Sequence, residues 1–329
     1  MDNSAKGYVP SETDGSDFCV SGETPILTKM GYFPIMNFLD KEVEVWNGSD
    51  WSKVTIKQTT SVRHLLTVFF SNGSSLTCTP DHNFIIGIGT ALKQADRIPA
   101  QFLAKGMELR QELLPIIEGE CQFKYPYIHG AMCSFGCFTE KGPIMDIMGP
   151  ALSAIVNHPD MVSNQISNGF ETVKVFPDDL LQAYTVPINS SVVTKLQWLA
   201  GFLDARSFIS KMGVSLININ DTLLQDIQLL LTTLGVCSVI EKNNSVKVPL
   251  GNGKLISLRN YTLIIPWKEF KHLVKLGLPG AYSTIEIPDE TQTIPLIVKD
   301  IVDIGRMAPA YFLVEPINNA VVYNGILTG

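Results

Sequence analysis

The amino-acid sequence lacks the features that mark several classes of protein. It contains no apolar run near the ~18 residues that a membrane-spanning helix needs. Its polar first 18 residues lack the hydrophobic stretch of a signal peptide. It also lacks a basic excess, because 25 lysines and arginines stand against 32 acidic residues and the net charge is −7. This balance argues against a strongly basic nucleic-acid-binding protein, although it leaves room for a local basic face.

Cysteine pairs are missing as well. The six cysteines form no CxxC pair, and no histidine-rich segment accompanies them. We therefore expect neither a zinc site nor a disulfide framework, and reduced thiols in an intracellular compartment fit this pattern. Cys133 and Cys137 have the spacing to share a helical face, but buried free thiols are the simpler interpretation.

The sequence does contain enough apolar material for a sizeable core. Hydrophobic residues make up 45% and charged residues 17% of the 329 residues, which excludes wholesale disorder and predicts about two domains. From Cys19 to about Ile88, short β-branched and aromatic runs alternate with turn signals, which is typical of an all-β unit. The predicted strands are Thr24–Thr28, Val43–Trp46, Lys53–Lys57 and Leu65–Phe70, and the turns are Met30-Gly31, Asn47-Gly48 and Asn72-Gly73.

The region from about Gly119 to Asp289 changes to helical patterns, in which apolar residues recur at i, i+3 and i+4. Its predicted elements are a helix capped by Ser191 that runs to about Leu203, a helix capped by Asp221 and ended by Gly235, a strand and turn at Asn243–Asn252, and a short helix at Lys268–Leu276. After about Pro288 the β pattern returns. A β unit that is interrupted and then resumes suggests one domain inserted into a loop of another.

Three features of the β unit can carry chemistry. Cys19 follows the polar first segment and directly precedes a small-residue turn. Thr79 and His82 stand three residues apart at a strand exit, where a hydroxyl and an imidazole can be aimed at one peptide bond. The last apolar strand ends abruptly at Gly329. Each feature taken alone is more often structural than catalytic.

Taken together, these features resemble the splicing motifs of inteins. CVSGETPILTKMGYFPI (Cys19–Ile35) is similar to their first block, and LTCTPDHNFII (Leu76–Ile86) to their second. AYFLVEPINNAVVYNGILTG (Ala310–Gly329) is similar to their last two blocks. The sequences of these segments are most similar to those of inteins found in ribonucleotide reductase large subunits. The resemblance therefore implies partners in the flanking extein segments of a host protein of that kind, within a cytoplasm or the host cell of a virus.

The resemblance implies a chemistry that needs no cofactor. Cys19 would attack the carbonyl of Phe18 and convert an amide into a thioester. His82 would give a proton to the departing nitrogen of Cys19 and hold the peptide distorted, and Thr79 would stabilise the oxyanion or orient the peptide. Gly329 would occupy the penultimate position, as in the glycine-bearing members of the family.

The residues that would carry the last steps of splicing depart from the family pattern. No cyclising Asn or Gln and no downstream nucleophile follow Gly329 in the sequence as given. Phe312 stands where the family carries an Asp or Cys that activates the branch step, and Asn319 stands where it carries a His. As written, the chain is expected at most to form the thioester and release its first 18 residues, in a single-turnover self-processing reaction.

The middle region resembles a second family. Leu199–Ser207 (LAGFLDARS) is similar to the LAGLIDADG motif of homing endonucleases, whose helices pack through small residues, here Ala200 and Gly201. Ile128–Gly136 is the best candidate for the first copy. The resemblance places the Mg²⁺-binding acids of that family at Phe135 and Arg206, neither of which can hold the metal. Asp204 is the one possible residual acid, so we expect no metal site.

The resemblances together imply a multi-domain fold. An all-β Hint (horseshoe) splicing domain would be interrupted by an α+β LAGLIDADG endonuclease-like domain with pseudo-twofold repeats. The expected divisions are an N-extein tail at 1–18, the first part of the splicing domain at 19–118, a degenerate LAGLIDADG endonuclease-like domain at 119–290, and the last part of the splicing domain at 291–329.

Three other functions stay open at the level of sequence. The first is an active endonuclease that uses Mg²⁺, against which Phe135 and Arg206 argue. The second is an inert relic or one that binds double-stranded DNA weakly, since residues 120–280 carry 13 basic against 12 acidic residues. The third is another self-processing Hint protein that cleaves its tail without ligation, against which the inserted region argues.

Overall fold

The computed structural model describes residues 19–87, 96–140, 142–145, 154–165, 172–249, 255–288 and 294–329. The segment Met1–Phe18, the end of the predicted excursion Asn243–Asn252 and the predicted boundary at residue 290 lie outside the described residues. Within the described part, β-strands dominate and few helices occur. None of the helices in this part is both long and apolar enough to cross a membrane.

The strands are numbered along the chain. Those before the helical region are β1 (Val20–Ser21), β2 (Pro25–Thr28), β3 (Gly31–Pro34), β4 (Glu42–Trp46), β5 (Trp51–Thr55), β6 (Lys57–Gln58), β7 (Arg63–Phe70), β8 (Ser75–Cys78), β9 (Asn83–Ile85), β10 (Arg97–Pro99) and β11 (Glu108–Leu109). Those in the helical region are β12 (Gly136–Thr139), β13 (Gly142–Met145), β14 (Val162–Gln165), β15 (Thr172–Val175), β16 (Ser207–Ile209), β17 (Gly213–Asn218), β18 (Val239–Lys242), β19 (Val246–Pro249), β20 (Leu255–Leu258) and β21 (Tyr261–Pro266). The last are β22 (Leu296–Ala308), β23 (Ala310–Phe312), β24 (Val321–Tyr323) and β25 (Ile326–Thr328). The helices are α1 (Pro126–Phe135), α2 (Val192–Arg206), α3 (Asp221–Thr232) and α4 (Trp267–Lys275).

The two large sheets are built jointly by both ends of the chain. One sheet has the order β11-β22-β7-β8-β1-β23-β6, and the other has the order β10-β9-β25-β24-β2-β4-β5 with β3 paired to β2. The late strands β22 to β25 therefore lie between early strands and are not added at an edge. As a result, residues before the helical region and residues after it are hydrogen-bonded to each other within the same two sheets.

The predicted strands of the first β unit are confirmed to within two residues, with one exception. The predicted strand Lys53–Lys57 is wrong as a single element, because it ends at Thr55 and a new strand begins at Lys57. Ile56 between them is completely buried and forms an isolated bridge to Leu39. The break lets β5 pair with β4 in one sheet and β6 pair with β23 in the other.

The helical region has its own apolar core, which comes from α1 to α4 and the four-stranded sheet β16-β17-β21-β18. Ser191 caps α2 as predicted, since its Oγ accepts the N–H of Thr194 at 3.2 Å. The predicted cap of α3 is wrong by one residue. Asn220, not Asp221, has the extended backbone of a cap, and its Oδ1 accepts the N–H of Leu223 at 3.1 Å.

The prediction of buried free thiols at Cys133 and Cys137 is confirmed for Cys133 and wrong for Cys137. Helix α1 ends at Phe135, so Cys137 lies on the following strand β12, where it is exposed. Cys133 stays buried in the helix, and burial raises the pKa of its thiol to about 12.

Helices α1 and α2 touch through glycines in a reciprocal manner. A Cβ placed on Gly130 of α1 would overlap the carbonyl oxygen of Trp198, and one placed on Gly201 of α2 would overlap the carbonyl oxygen of Tyr127. Each glycine thus faces the residue three positions before the other glycine. Since only hydrogen occupies these positions, the two backbones approach more closely than larger side chains allow.

Polar contacts join α2 and the segment before it to earlier parts of the chain. The side-chain amide of Asn189 pairs with both the N–H and the carbonyl of Tyr32, at 2.8 Å each. The fully buried Lys195 donates through Nζ to the carbonyl of Ile117 at 2.7 Å and to the hydroxyl of Thr233 at 3.0 Å. Burial lowers the pKa of Lys195 to about 8.

His129 is expected to titrate near pH 4 in the native protein. Its Nδ1 accepts the indole N–H of Trp198 at 3.0 Å, so its Nε2 must donate to the carbonyl of Ala183 at 2.9 Å and the ring is neutral. Burial lowers its pKa from 6.5 to about 4. The unfolded chain therefore binds more protons between these values, and the stability that neutral His129 contributes is lost as the pH falls through this range.

NMR of the imidazole carbons would follow the titration of His129, and a native midpoint near 6.5 would contradict the assignment. Trp198→Phe should raise the midpoint because it frees Nδ1.

Candidate functional site

Cys19 is held in a buried position between two strands. It directly precedes β1, which lies between β8 and β23, and its side chain is completely buried against Leu65 and Ala310. The backbone N–H of Cys19 donates to Oγ1 of Thr79 at 3.2 Å, and the carbonyl of Cys19 accepts the N–H of Thr79 at 2.9 Å. The threonine hydroxyl therefore lies next to the nitrogen of the Phe18–Cys19 peptide bond.

Thr79 and His82 are the two ends of one tight turn. The N–H of His82 donates to the carbonyl of Thr79 at 3.1 Å, and Pro80 occupies the second position, which the ring of proline favours. Both side chains are buried, with 2% and 1% exposure. The sequence pattern Thr-Pro-Asp-His thus forms the turn that brings this hydroxyl and this imidazole to the same end of the sheets.

The imidazole of His82 reaches the end of the last strand. Its Nε2 lies 2.9 Å from Oγ1 of Thr328, and the rings of Phe84 and Tyr323 flank it at 5.5 Å and 5.9 Å between centroids. Gly329 follows Thr328 and donates its N–H to the carbonyl of Asn83 at 3.0 Å. The four residues predicted from sequence, namely Cys19, Thr79, His82 and Gly329, are therefore linked by short hydrogen-bonded steps.

Gly329 lies against the backbone of Asn319. A Cβ on Gly329 would overlap the carbonyl oxygen of Asn319, so a larger residue would have to displace that segment. Arg97 binds both residues, because its guanidinium donates to the carbonyls of Gly329 at 2.6 Å, Asn319 at 2.7 Å and Asn318 at 2.6 Å. Asn319 thus contributes its backbone to this contact in a left-handed conformation.

Sequence reasoning missed Arg97 and Thr328. Arg97 is in no motif, and its partners lie more than 220 positions away in the chain. Thr328 stands inside a quoted motif, yet nothing in the sequence indicates that its hydroxyl reaches a histidine 246 positions earlier.

Phe312 packs beside the buried cysteine. It lies at the end of β23, opposite Lys57, and it is partly buried against the small cluster formed by Cys19, Leu65 and Ala310. Cys78, which precedes Thr79, is also fully buried, and burial raises the pKa of its thiol well above the usual range. Cys78 is therefore kept as a protonated thiol.

The arrangement places the Thr79 hydroxyl at the nitrogen of Cys19 and the imidazole of His82 at the other end of the same turn. The hydroxyl can orient that nitrogen, and the imidazole can exchange a proton at the same end of the sheets. Burial by two sheets keeps these groups in one geometry without reorganisation. Such a set is suited to attack on a neighbouring carbonyl within the same chain.

The three residues predicted from the LAGLIDADG resemblance do not all contact one another. Phe135 and Arg206 are the last residues of α1 and α2, and the guanidinium carbon of Arg206 lies 5.2 Å from the centre of the Phe135 ring. Asp204 does not join them. It accepts the hydroxyl of Tyr127 at 2.7 Å and the N–H of Ala281 at 3.1 Å, and burial raises its pKa.

The donor set at the ends of α1 and α2 does not fit Mg²⁺. This ion requires oxygen ligands, and a guanidinium stacked on an aromatic ring supplies none and repels the cation. Within the described ranges, no three His, Cys, Asp or Glu side chains come together in a way that could hold a metal.

Comparison with known proteins gives one extensive match. The chain is 34% identical over 351 aligned residues to the ribonucleoside-diphosphate reductase large subunit of Invertebrate iridescent virus 6. The alignment covers 95% of this chain and 36% of that protein, so the chain spans about a third of its relative's length. No family model matches the chain.

Solved structures add intein neighbours of low overall similarity. A variant of the Ssp DnaB mini-intein is 19% identical, with 30% of this chain and 60% of that chain covered and a TM-score of 0.24. A DnaB intein from Synechocystis sp. PCC 6803 is 17% identical, with 28% and 66% covered and a TM-score of 0.24. Scores this low carry no argument by themselves. The intein motifs at both ends of the chain and the reductase match along 95% of its length identify it as a relative of inteins of the ribonucleotide reductase large-subunit type.

Proposed function

We propose that this chain is a self-processing intein in which Cys19, Thr79 and His82 carry out an N-to-S acyl shift. The observation that carries the proposal is the buried contact of 3.2 Å between the Cys19 nitrogen and the Thr79 hydroxyl, with His82 closing the same turn. Thr79 orients the peptide through its nitrogen. The reaction uses only groups of the chain itself, so it requires no cofactor.

In the acyl shift, the acyl group of Phe18 passes from the nitrogen of Cys19 to its sulfur, and one proton passes from the sulfur to the nitrogen. Sγ of Cys19 attacks the carbonyl carbon of Phe18 and forms a C–S bond. The C–N bond then breaks, and the electron pair stays with the nitrogen of Cys19. His82 accepts the thiol proton as general base before the attack and returns it as general acid to the departing nitrogen, so the shift releases no proton. The product is a thioester of Phe18 with a free amino group on Cys19.

The proposed division of the chain follows the predicted boundaries. Residues 19–118 and 291–329 form the splicing domain, because the two large sheets interleave strands from both segments. Residues 119–290 form an inserted domain, whose apolar core runs from Tyr127 to Leu278. Residues 1–18 belong to the flanking host segment. The host is a reductase large subunit, as the printed name of the matched relative suggests.

The inserted domain is proposed to be a LAGLIDADG-type domain that no longer cuts DNA. The reciprocal contact of Gly130 and Gly201 supports two related helices that pack through small residues. The pairing of Phe135 with Arg206 at the helix ends supports the loss of metal-dependent cleavage. Asp204 is occupied by Tyr127 and Ala281 and is therefore not poised to replace the missing acids.

Intact-mass measurement with and without dithiothreitol tests the splicing proposal. A thiol exchanges with the thioester, so it is expected to release Met1–Phe18 from the purified chain in a time-dependent manner. Cys19→Ala removes the nucleophile and is expected to leave the mass unchanged. Cys78→Ala is the matched control, because it removes a neighbouring buried thiol and is expected to retain the cleavage.

Two results would contradict the proposal. One is an unchanged mass of the wild-type chain in thiol, also after extension of the chain beyond Gly329 by Asn and Cys. The other is equal cleavage in wild type and Cys19→Ala, which would assign the release to a contaminating protease.

A further inference from the structure

The cleft beside the ends of α1 and α2 is lined by hydrogen-bond donors. It has a volume of about 410 Å³ and extends from the helix ends to the segment between β17 and α3. Arg206 is the one charged side chain among the described residues that line it, and no carboxylate does so. Its guanidinium is held over Phe135 and forms no ion pair within the described part of the chain.

Three asparagines in this cleft have their acceptor oxygens already occupied. Oδ1 of Asn218 accepts the N–H of Asn220 at 2.9 Å, and Oδ1 of Asn220 accepts the N–H of Leu223 at 3.1 Å. Oδ1 of Asn260 accepts the amide of Asn243 at 2.9 Å. For Asn218 and Asn220 the partner is a backbone donor, which fixes the orientation of the amide. Their NH₂ groups are thus left as donors.

A buried hydroxyl completes this set. Ser134 lines the cleft, is only 7% exposed, and its Oγ has no hydrogen-bond partner in the described structure. A buried hydroxyl without a partner is costly, because it has lost its hydrogen bonds to water. A ligand rich in acceptor oxygens would satisfy it, and no carboxylate of the described residues lines the cleft to attract a metal ion.

We propose that this cleft binds a phosphate group. The guanidinium of Arg206 supplies the charge and a planar pair of donors that matches phosphate oxygens. The amides of Asn218 and Asn220 and the hydroxyl of Ser134 supply neutral donors. The place where the resembling family holds a cation is therefore an anion site in this chain. The cleft lies outside the splicing centre, so its chemistry does not depend on Cys19.

The phosphate can come from a nucleic-acid backbone or from free phosphate, and two titrations distinguish these sources. The full chain is titrated with inorganic phosphate by calorimetry. It is also titrated with a short labelled DNA duplex by fluorescence anisotropy, in EDTA and at two salt concentrations. Binding of both ligands indicates backbone phosphate, and binding of inorganic phosphate alone indicates the free anion.

Two variants test the assigned residues. Arg206→Ala removes the charge, and it is expected to weaken phosphate binding about tenfold or more. Asn220→Asp is expected to do the same, because it replaces two donors by a carboxylate. Aspartate is as good a helix cap as asparagine, so this variant keeps α3 intact.

The matched control is Asn72→Asp. Oδ1 of Asn72 also accepts a backbone N–H, from Ser74 at 3.1 Å, but it lies in the turn between β7 and β8 and not in the cleft. This variant makes the same change of charge and is expected to bind like the wild type. The proposal is overturned if neither ligand binds the wild-type chain. It is also overturned if Arg206→Ala and Asn220→Asp, at unchanged melting temperature, bind both ligands as tightly as Asn72→Asp does.

Discussion

Replacement of His82 by alanine is expected to slow the thiol-induced release of Met1–Phe18 by about 10²–10⁴-fold, the usual contribution of a positioned general acid or base. The nitrogen of Cys19 leaves as an amine and needs a proton, and His82 is the imidazole that closes the turn beginning at Thr79. The rate is measured by intact mass at several times after addition of dithiothreitol.

Two further variants separate proton transfer from packing at His82. His82→Gln can still hydrogen-bond Thr328, but an amide cannot transfer a proton near neutral pH, so this variant is expected to be nearly as slow as the alanine variant. Thr328→Val keeps the shape of β25 and removes only the hydroxyl that lies 2.9 Å from Nε2. Its expected loss is about tenfold, the worth of one hydrogen bond that orients the ring. Wild-type rates in His82→Ala, with Cys19→Ala inactive, would show that His82 does not act in the shift.

Gly201→Val is expected to destabilise the inserted region by about 3–5 kcal/mol. The new Cβ would overlap the carbonyl oxygen of Tyr127, and because this is a backbone atom, helix α1 as a whole must move away. Elsewhere in a helix, replacing glycine by a residue with a side chain usually stabilises it or costs little. The large loss is thus specific to the contact between the helices.

Hydrogen exchange read by mass spectrometry over Val192–Arg206 and Pro126–Phe135 measures this effect. A loss of 3 kcal/mol corresponds to about a hundredfold faster exchange of the protected amides in both helices. Gln197→Val introduces the same side chain on the exposed face of α2, and it should change the stability by no more than about 0.5 kcal/mol. Equal protection in Gly201→Val and Gln197→Val would mean that the helices do not approach as closely as described.

Local features of the fold could be predicted because they depend on neighbours in the chain. The turn at Asn47-Gly48 is an example. Gly48 has a φ of +94°, which glycine accepts without strain, and the side chain of Asn47 accepts the N–H groups of Ser49 and Asp50. The cap of α2 at Ser191 likewise needs only residues within three positions. Such interactions act over one turn and therefore leave a pattern in the sequence.

Two errors arose where strand pairing decided the outcome. Lys53–Lys57 has the composition of one strand, but Ile56 is buried between two sheets and the chain changes partners there. Cys137 has helical spacing from Cys133, yet Gly136 leaves the helix and pairs with Met145 in a hairpin. In both cases strand pairing outweighs the preference of the residues themselves.

The sequence by itself determined several strands, turns and helices, together with the residue types that a splicing reaction needs, since these follow from periodicity and from motifs of a few residues. Only the tertiary structure decided which of these residues meet. It joins Thr79 to a nitrogen 60 positions away and His82 to a hydroxyl 246 positions away. It also brings Arg97 to the backbone at Gly329 and seats Arg206 on Phe135. These contacts depend on how two sheets and two helices pack, because side chains far apart in the chain converge only when the whole fold has formed.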